Sequence, residues 1–223
     1  MDERQLDLMY QYLDLILEAN KTTNLTRITD HDEAKLLHIE DSLVGLPEVD
    51  DAPAGMYGDL GSGGGFPGVP LALASGRQTL LIDSVKKKMT LVQQVLDELG
   101  LSAQISTFDG RIEILGQQQP RSFAVLTARA LSRLVALLEL SSPLLIKGGR
   151  LVCYKAQVAE DELKEARAVE SLLGMRLISC RDTILSDDET RRTILVFEKV
   201  GKAQLKLPRR VGLAQKSPLK PRR

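Results

Sequence analysis

A mostly parallel, doubly wound α/β sheet of seven strands, with an antiparallel last strand and an N-terminal helical cap, is the fold class this sequence predicts. Three observations carry it. From residue 56 onward, short apolar and β-branched runs alternate with helix-length segments, the pattern of a parallel sheet covered on both faces. The turn after the first run, Gly58-Asp59-Leu60-Gly61-Ser62-Gly63-Gly64-Gly65-Phe66-Pro67-Gly68, holds six glycines in eleven residues. Glycine weakens the interior of a helix or strand, so such a cluster marks left-handed backbone or close backbone approach. A strand, a glycine turn and a helix start together offer backbone N–H groups to a nucleotide-like ligand. Finally, no helix-length segment separates the last two strand candidates, so they read as a closing antiparallel hairpin.

In chain order, residues 2–19 carry apolar side chains at three- and four-residue steps (Leu6, Met9, Tyr10, Leu13, Ile16, Leu17), the stripe of an amphipathic helix. Residues 20–29 read as a loop. Asp30 or Asp32 can cap a second helix with the stripe Leu36, Ile39, Leu43 and Leu46. Residues 47–55, with two prolines and three acids, read as a surface linker. Strands are expected over 56–60, 79–83, 103–108, 123–127, 150–154, 176–180 and 193–198. Helices are expected over 68–75, 85–99, 132–146 and 158–172. Gly100 should stop the second of these. Pro143 should kink the third, and Gly148-Gly149 should close it. The predicted organisation is a helical cap over 1–50, a ligand-binding α/β domain over 51–200 and a basic tail over 201–223.

Composition narrows the function. Hydrophobic residues at 43% and charged residues at 27% are ordinary for a globular protein. No apolar run reaches the roughly 18–20 residues of a membrane span, and the first residues lack a secretory apolar region. Cys153 and Cys180 lie far apart and read as buried thiols in a reducing cytoplasm. Two histidines leave no basis for a His-rich metal site. The zero net charge hides an asymmetry. Residues 199–223 carry nine Lys/Arg and no acid, leaving 21 bases against 30 acids elsewhere, a net −9. On charge alone, a phosphate-binding arm and a solvated terminus are equal readings of that tail.

Five constellations carry the chemistry. The glycine turn is no Walker A loop, because no Lys-Ser/Thr follows it. Nor is it a clean dinucleotide fingerprint, since Pro67 and Pro70 stiffen the helix start. Asp59 can order the loop or bind an amino or ribose group. Asp83, about 20 residues past the glycines, stands where an acid meets ribose hydroxyls; it can also cap the helix after it. Lys86, Lys87 and Lys88 follow. Asp109-Gly110-Arg111-Ile112-Glu113 can flank an adenine, or form an ordinary turn. Arg129, after the fourth strand, should face the ligand mouth. His38, Asp41 and Ser42 read best as a structural hydrogen-bond cluster.

Asn24-Leu25-Thr26, His38-x-x-Asp41-Ser42-Leu43, the Gly-Phe-Pro-Gly-Val-Pro extension of the loop, Leu81-Ile82-Asp83-Ser84, Arg111-x-Glu113 and Arg129-Ala130 together resemble the bacterial small-subunit rRNA guanine-N7 methyltransferases (RsmG or GidB). Arg192 and Pro208-Arg209-Arg210 fit the same resemblance, which spans residues 10 to 219. The resemblance implies a Rossmann-like class I methyltransferase fold, S-adenosyl-L-methionine as methyl donor, and a guanosine in the decoding-region loop of 16S rRNA as acceptor. It implies that Gly61, Gly63 and Phe66 line the methionine and ribose end of the donor. Asp83 faces its ribose region, Ile112 and Glu113 hold its adenine side, Arg129 lies at the donor or acceptor mouth, and Asp59 is a further donor-binding candidate. Arg129 and Arg192 are the catalytic candidates, and with Arg111 they are expected to bind RNA phosphate or guanine O6 rather than transfer protons. The implied partner is the small ribosomal subunit, with no membrane and no metal, and the implied protein is a cytoplasmic monomer. Deleting residues 202–223 is expected to weaken RNA binding alone. The competing readings are a methyltransferase of another substrate, a non-catalytic ribosome- or RNA-binding protein, and a nicotinamide oxidoreductase, for which the loop is a poor fit. The chain departs from the family pattern at Ala19 and Ala156.

Overall fold

The computed structural model describes residues 1–220. Helix α1 (Glu3–Asn20) begins with a reciprocal cap: Asp2 accepts from the Gln5 amide, and Gln5 returns the bond to the Asp2 N–H. Its buried stripe is Met9, Tyr12, Leu13 and Ile16, so Tyr12 takes the place expected of Tyr10. Asp30 caps α2 (His31–Ala34), which widens into a π-helical turn over Lys35–Glu40 and tightens again as α3 (Asp41–Leu43). Such widenings often occur at functional sites. The expected linker is partly helical: α4 (Leu46–Asp50) carries Pro47 in its first turn, where a missing N–H costs nothing. Val49 and Ala52 are buried, and the Arg77 guanidinium donates to four carbonyls between Val49 and Gly55.

The sheet runs β1 (Met56–Leu60), β2 (Thr79–Ile82), β3 (Ile105–Phe108), β4 (Phe123–Arg129), β5 (Leu145–Lys155), β6 (Met175–Ile184) and β7 (Arg191–Lys199). Their spatial order is β3-β2-β1-β4-β5-β7-β6. β1, β2, β3, β4 and β5 pair in parallel, and β7 is antiparallel to both β5 and β6. All seven expected strands are present, and the last strand in sequence is the reversed one.

The helices on the faces are α5 (Gly68–Ser75), α6 (Lys86–Glu98), α7 (Ile112–Gln118), α8 (Leu134–Ser141), α9 (Glu160–Ala168) and α10 (Glu170–Leu173). Gly100 follows α6 in the left-handed conformation, as expected. The helix expected over 132–146 is shorter. It stops before Pro143, and Gly148-Gly149 lies inside β5, where the pairing with β4 shifts register. Helix α7 was not expected: it is short, and Gly116 within it packs against Pro208 and Pro143. Cys153 is buried, but Cys180 is exposed on β6, because side chains of this edge strand alternate toward solvent.

The two largest apolar clusters among the described residues lie on the sheet. One joins α1, α5 and α6 through Met9, Ile16, Val69, Leu81 and Leu96. The other joins α7 to α10 through Leu115, Leu138, Leu173 and Phe197. The basic tail, which contains α11 (Leu213–Lys216), docks on the second core with Leu205, Leu207 and Leu219. Arg209 forms a two-pronged ion pair with buried Glu139 at 2.7 and 2.5 Å. The described tail is therefore a packed strap rather than a frayed arm. Arg222 and Arg223 lie outside the described residues. Among the described residues no helix is long and apolar enough to cross a membrane, and no group of three His, Cys, Asp or Glu is placed to hold a metal.

Candidate active site

In a parallel sheet, ligands collect beyond the carboxyl ends of the strands where the strand order reverses, here between β1 and β4. The glycine turn sits at that point. Gly61, Gly63 and Gly65 have φ of +73°, +55° and +88°, which side-chain-bearing residues rarely adopt. The Gly61 and Ser62 N–H groups donate to the Ile82 carbonyl at 2.8 and 3.1 Å, so the turn folds over β2. A Cβ on Gly65 would overlap Tyr12 Oη, whereas one on Gly63 would meet open space. Gly65→Ala should therefore cost about 2 kcal/mol or more in thermal unfolding and Gly63→Ala about 1 kcal/mol. Equal losses would contradict this account of the turn.

Asp59 is fully buried at the end of β1. It accepts from the Gly68 N–H at 3.0 Å and from Thr127 Oγ1 at 2.7 Å. The structure thus gives it the loop-ordering role, and it lines neither of the cavities described next. Burial pushes its carboxyl up to about 6, against the pull of Thr127, Arg129 and the Gly68 N–H. Asp83 is half-buried at the rim. It accepts from the Gly63 N–H at 3.1 Å and from the Val85 N–H at 2.9 Å, so it ties the turn to the start of α6. Lys86, Lys87 and Lys88 follow on the surface.

Two cavities share Gly61 as a wall. The smaller, about 70 Å³, is lined by Asp83, Arg111, Ile112, Glu113 and Gln215. Glu113 is buried, and its Oε1 accepts from the Gly212 N–H of the tail at 2.7 Å. Ile112 packs against Ala136, Leu140 and Ala214. The tail therefore supplies one side of this cavity. Removing residues 202–223 should weaken donor binding as well as RNA binding, because Glu113 loses its partner and Gln215 its place on the wall. Donor calorimetry on the truncated chain checks this, and unchanged affinity would contradict it. This differs from the expectation of an effect on RNA alone.

The larger cavity, about 530 Å³, contains Gly63, Phe66, His38, Arg129 and Arg192. The two arginines, 63 residues apart in sequence, converge on one carboxylate. Arg129 NH1 donates to Asp41 Oδ2 at 2.7 Å and to the Leu37 carbonyl at 2.9 Å. Arg192 donates from Nε to Asp41 Oδ1 at 2.7 Å and from NH2 to Oδ2 at 3.2 Å. Arg192 belongs to β7 itself, rather than to the turn before it. His38 stacks on Phe66 with ring centroids 4.5 Å apart, and its Nε2 pairs with Thr26 Oγ1 at 2.8 Å. Burial, reinforced by Arg129, draws its imidazole down to about 4, so it is neutral at neutral pH. Ser42 Oγ donates to the His38 carbonyl, and Tyr154 donates to the Ser42 carbonyl at 2.7 Å. Ala130, next to Arg129, has φ +53°, and such strained positions concentrate at functional sites.

Asp41, expected in a structural hydrogen-bond cluster, lines this cavity and holds both arginines. Tyr154 and Lys155 end β5 and also line the larger cavity. Lys155 donates to the Ser132 carbonyl and to Glu162 at 3.0 and 2.8 Å. Their position at the carboxyl end of a parallel strand was the available signal.

This strand order, with its reversed last strand and its glycine turn at the switch point, defines the Rossmann-like methyltransferase fold. Solved structures agree. A geranyl diphosphate methyltransferase in complex with SAM superposes with a TM-score of 0.57 at 12% identity, over 71% of this chain and 84% of that one. The B. subtilis tRNA methyltransferase TrmK gives 0.52 at 19% identity, over 70% and 65%. The model of the family described as rRNA small subunit methyltransferase G matches residues 5–189, and the chain belongs to that family. Relatives called Ribosomal RNA small subunit methyltransferase G include one from Lactobacillus johnsonii, 34% identical over 98% of this chain and 93% of its own length. Others come from Streptococcus thermophilus, at 35% over 98% and 93%, and Listeria welshimeri, at 33% over 96% and 91%.

Proposed function

We propose that this chain transfers the methyl group of S-adenosyl-L-methionine to N7 of a guanosine in the decoding-region loop of 16S rRNA. We propose further that it acts in the cytoplasm, as a monomer and without a metal, on the small ribosomal subunit. The observation that carries the reading is the sharing of Gly61 between the two cavities. A nucleoside held in the smaller one, with its sugar at Asp83 and its base beside Ile112 and Glu113, would extend over the glycine turn into the larger one. Phe66, Arg129 and Arg192 wait there. When bound, the donor supplies an electrophilic methyl group on a sulfonium.

Guanine N7 carries a lone pair and no proton, so the protein needs no general base. The N–C bond forms as the C–S bond breaks, and catalysis rests on alignment. The neutral His38, the two guanidinium groups and Asp41 form a fixed wall for that alignment. Arg129 spends only NH1 on acceptors among the described residues, leaving Nε and NH2 to meet a phosphate or guanine O6 while N7 stays free. Mass mapping of 16S rRNA from a deletion strain, with and without the gene restored, tests the function. One N7-methylguanosine should vanish and return. Unchanged methylation would overturn the reading.

A further inference from the structure

A second large cavity, about 570 Å³, opens at the opposite edge of the sheet, where β4 and β5 begin and β7 ends. Four cations line it: Arg121, Lys147, Lys199 and Lys202. No described Asp or Glu does, and none of the four forms an ion pair with a described carboxylate. Several half-buried cations elsewhere among the described residues sit on carboxylates, whereas Arg77 donates to carbonyls alone, and of the four cavity cations only Lys199 is buried. Arg129 and Arg192 sit on Asp41, Lys155 on Glu162, and Arg209 on Glu139.

Lys199 is the sharpest exception. It is only 7% exposed, and its Nζ donates to two neutral oxygens, Ser142 Oγ at 2.6 Å and the Leu173 carbonyl at 2.8 Å. An ammonium has three donors, so one N–H remains for a further acceptor. Burial draws this amine down to about 8, still charged at neutral pH. Arg121 stands at the mouth with φ +55°, its N–H held by the Pro143 carbonyl at 2.9 Å, a conformation few non-glycine residues adopt. A buried cation without a counter-charge is costly. Arg121, Lys147 and Lys202, exposed around the same space, add like charge to it, and an anion in the cavity offsets both.

We infer that this cavity is a phosphate-binding site, in which Arg121, Lys147, Lys199 and Lys202 surround the oxygens of one phosphate or of two linked ones. Ammonium and guanidinium groups on phosphate oxygens form the strong, charge-assisted class of hydrogen bond. The site is separate from the methyl-transfer cavity. β4 alone, from Phe123 to Arg129, puts about 20 Å between them, at about 3.3 Å per strand residue. No small molecule fills both, but an RNA spans that distance. The phosphate therefore comes either from the RNA backbone, a source that rests on the proposed function, or from a free phosphorylated compound, which does not.

The test uses the full chain and the variant Arg121→Gln/Lys147→Gln/Lys202→Gln, whose altered side chains make no hydrogen bond or ion pair among the described residues. A control, Arg4→Gln/Lys21→Gln/Lys164→Gln, removes the same charge from exposed positions elsewhere. Calorimetry with inorganic pyrophosphate reads the free anion, and anisotropy with a labelled 16S rRNA fragment reads the backbone. Expected is a loss of roughly tenfold in the site variant in at least one arm, with the control within about twofold of the parent. Loss in the pyrophosphate arm assigns a free phosphate; loss in the RNA arm with pyrophosphate silent assigns the phosphodiester. Equal losses in both variants, or no loss in either arm, overturn the site. Should the triple variant fail to fold, Lys147→Glu, on an exposed side chain, reads the same loss. A parent chain that binds pyrophosphate but leaves rRNA unmethylated would count against the proposed function and leave the site standing.

Discussion

Asp41→Ala will lose about 3–5 kcal/mol of stability and with it the methylation of rRNA. The Asp41 side chain is 2% exposed, and its arginines are 15% and 18% exposed. Both carboxylate oxygens are spent on guanidinium groups. Alanine strands two positive charges that water reaches poorly, and breaking a buried pair costs more than the pair contributed. The same change frees Arg129 and Arg192 from the geometry that faces the cavity. Urea unfolding reads the first effect and methylation of small subunits the second. Adding Arg192→Met to Asp41→Ala removes one stranded charge, so part of the stability should return while activity does not. A single variant within about 0.5 kcal/mol of the parent would show that Asp41 does not organise this wall.

Asp59 and His38 should give opposite pH dependences that partly cancel in the parent chain. The carboxyl of Asp59 rises from 3.8 to about 6 on folding. Between those values the folded state binds the extra proton, so stability falls as pH rises, by about 3 kcal/mol at roughly 1.4 kcal/mol per unit. The imidazole of His38 falls from 6.5 to about 4. There the unfolded chain binds the extra proton, so stability is lost as pH falls, again by about 3 kcal/mol. Asp59→Asn keeps an acceptor for the Gly68 N–H and can donate to Thr127 Oγ1, while His38→Gln can still meet Thr26. Relative to the parent, the stability of Asp59→Asn should climb between pH 4 and 7, and that of His38→Gln should drop. Parallel curves for parent and variants would mean that neither group is perturbed on folding.

The sheet was legible because its signals are local. Each strand is a short apolar run, and β1 and α5 have the expected bounds because glycines and Pro67 punctuate them. Local signals failed where tertiary contacts decide. Helix α7 has only seven residues with Gly116 inside, and it is held by prolines from other segments. β5 begins before its glycines because its pairing with β4 restarts beyond them. Leu205, Leu207 and Leu219 dock the tail, and these three leucines, scattered among the nine cations of residues 199–223, carry no periodic signal. At the site, the glycine turn and Asp83 could be placed from their positions after strands, and Arg129, expected just after β4, is its last residue. The meeting of Arg129 and Arg192 on Asp41 could not, since 151 residues separate Asp41 from Arg192 and no spacing rule links them.

A crystal structure of the chain with S-adenosylhomocysteine tests the central claim most directly. The expected result is an adenine beside Ile112 and Glu113, ribose hydroxyls on the Asp83 carboxylate, and the sulfur over the glycine turn, facing the cavity of Phe66 and Arg129. A ligand bound elsewhere, or a turn whose two cavities stay empty at saturating ligand, would contradict it.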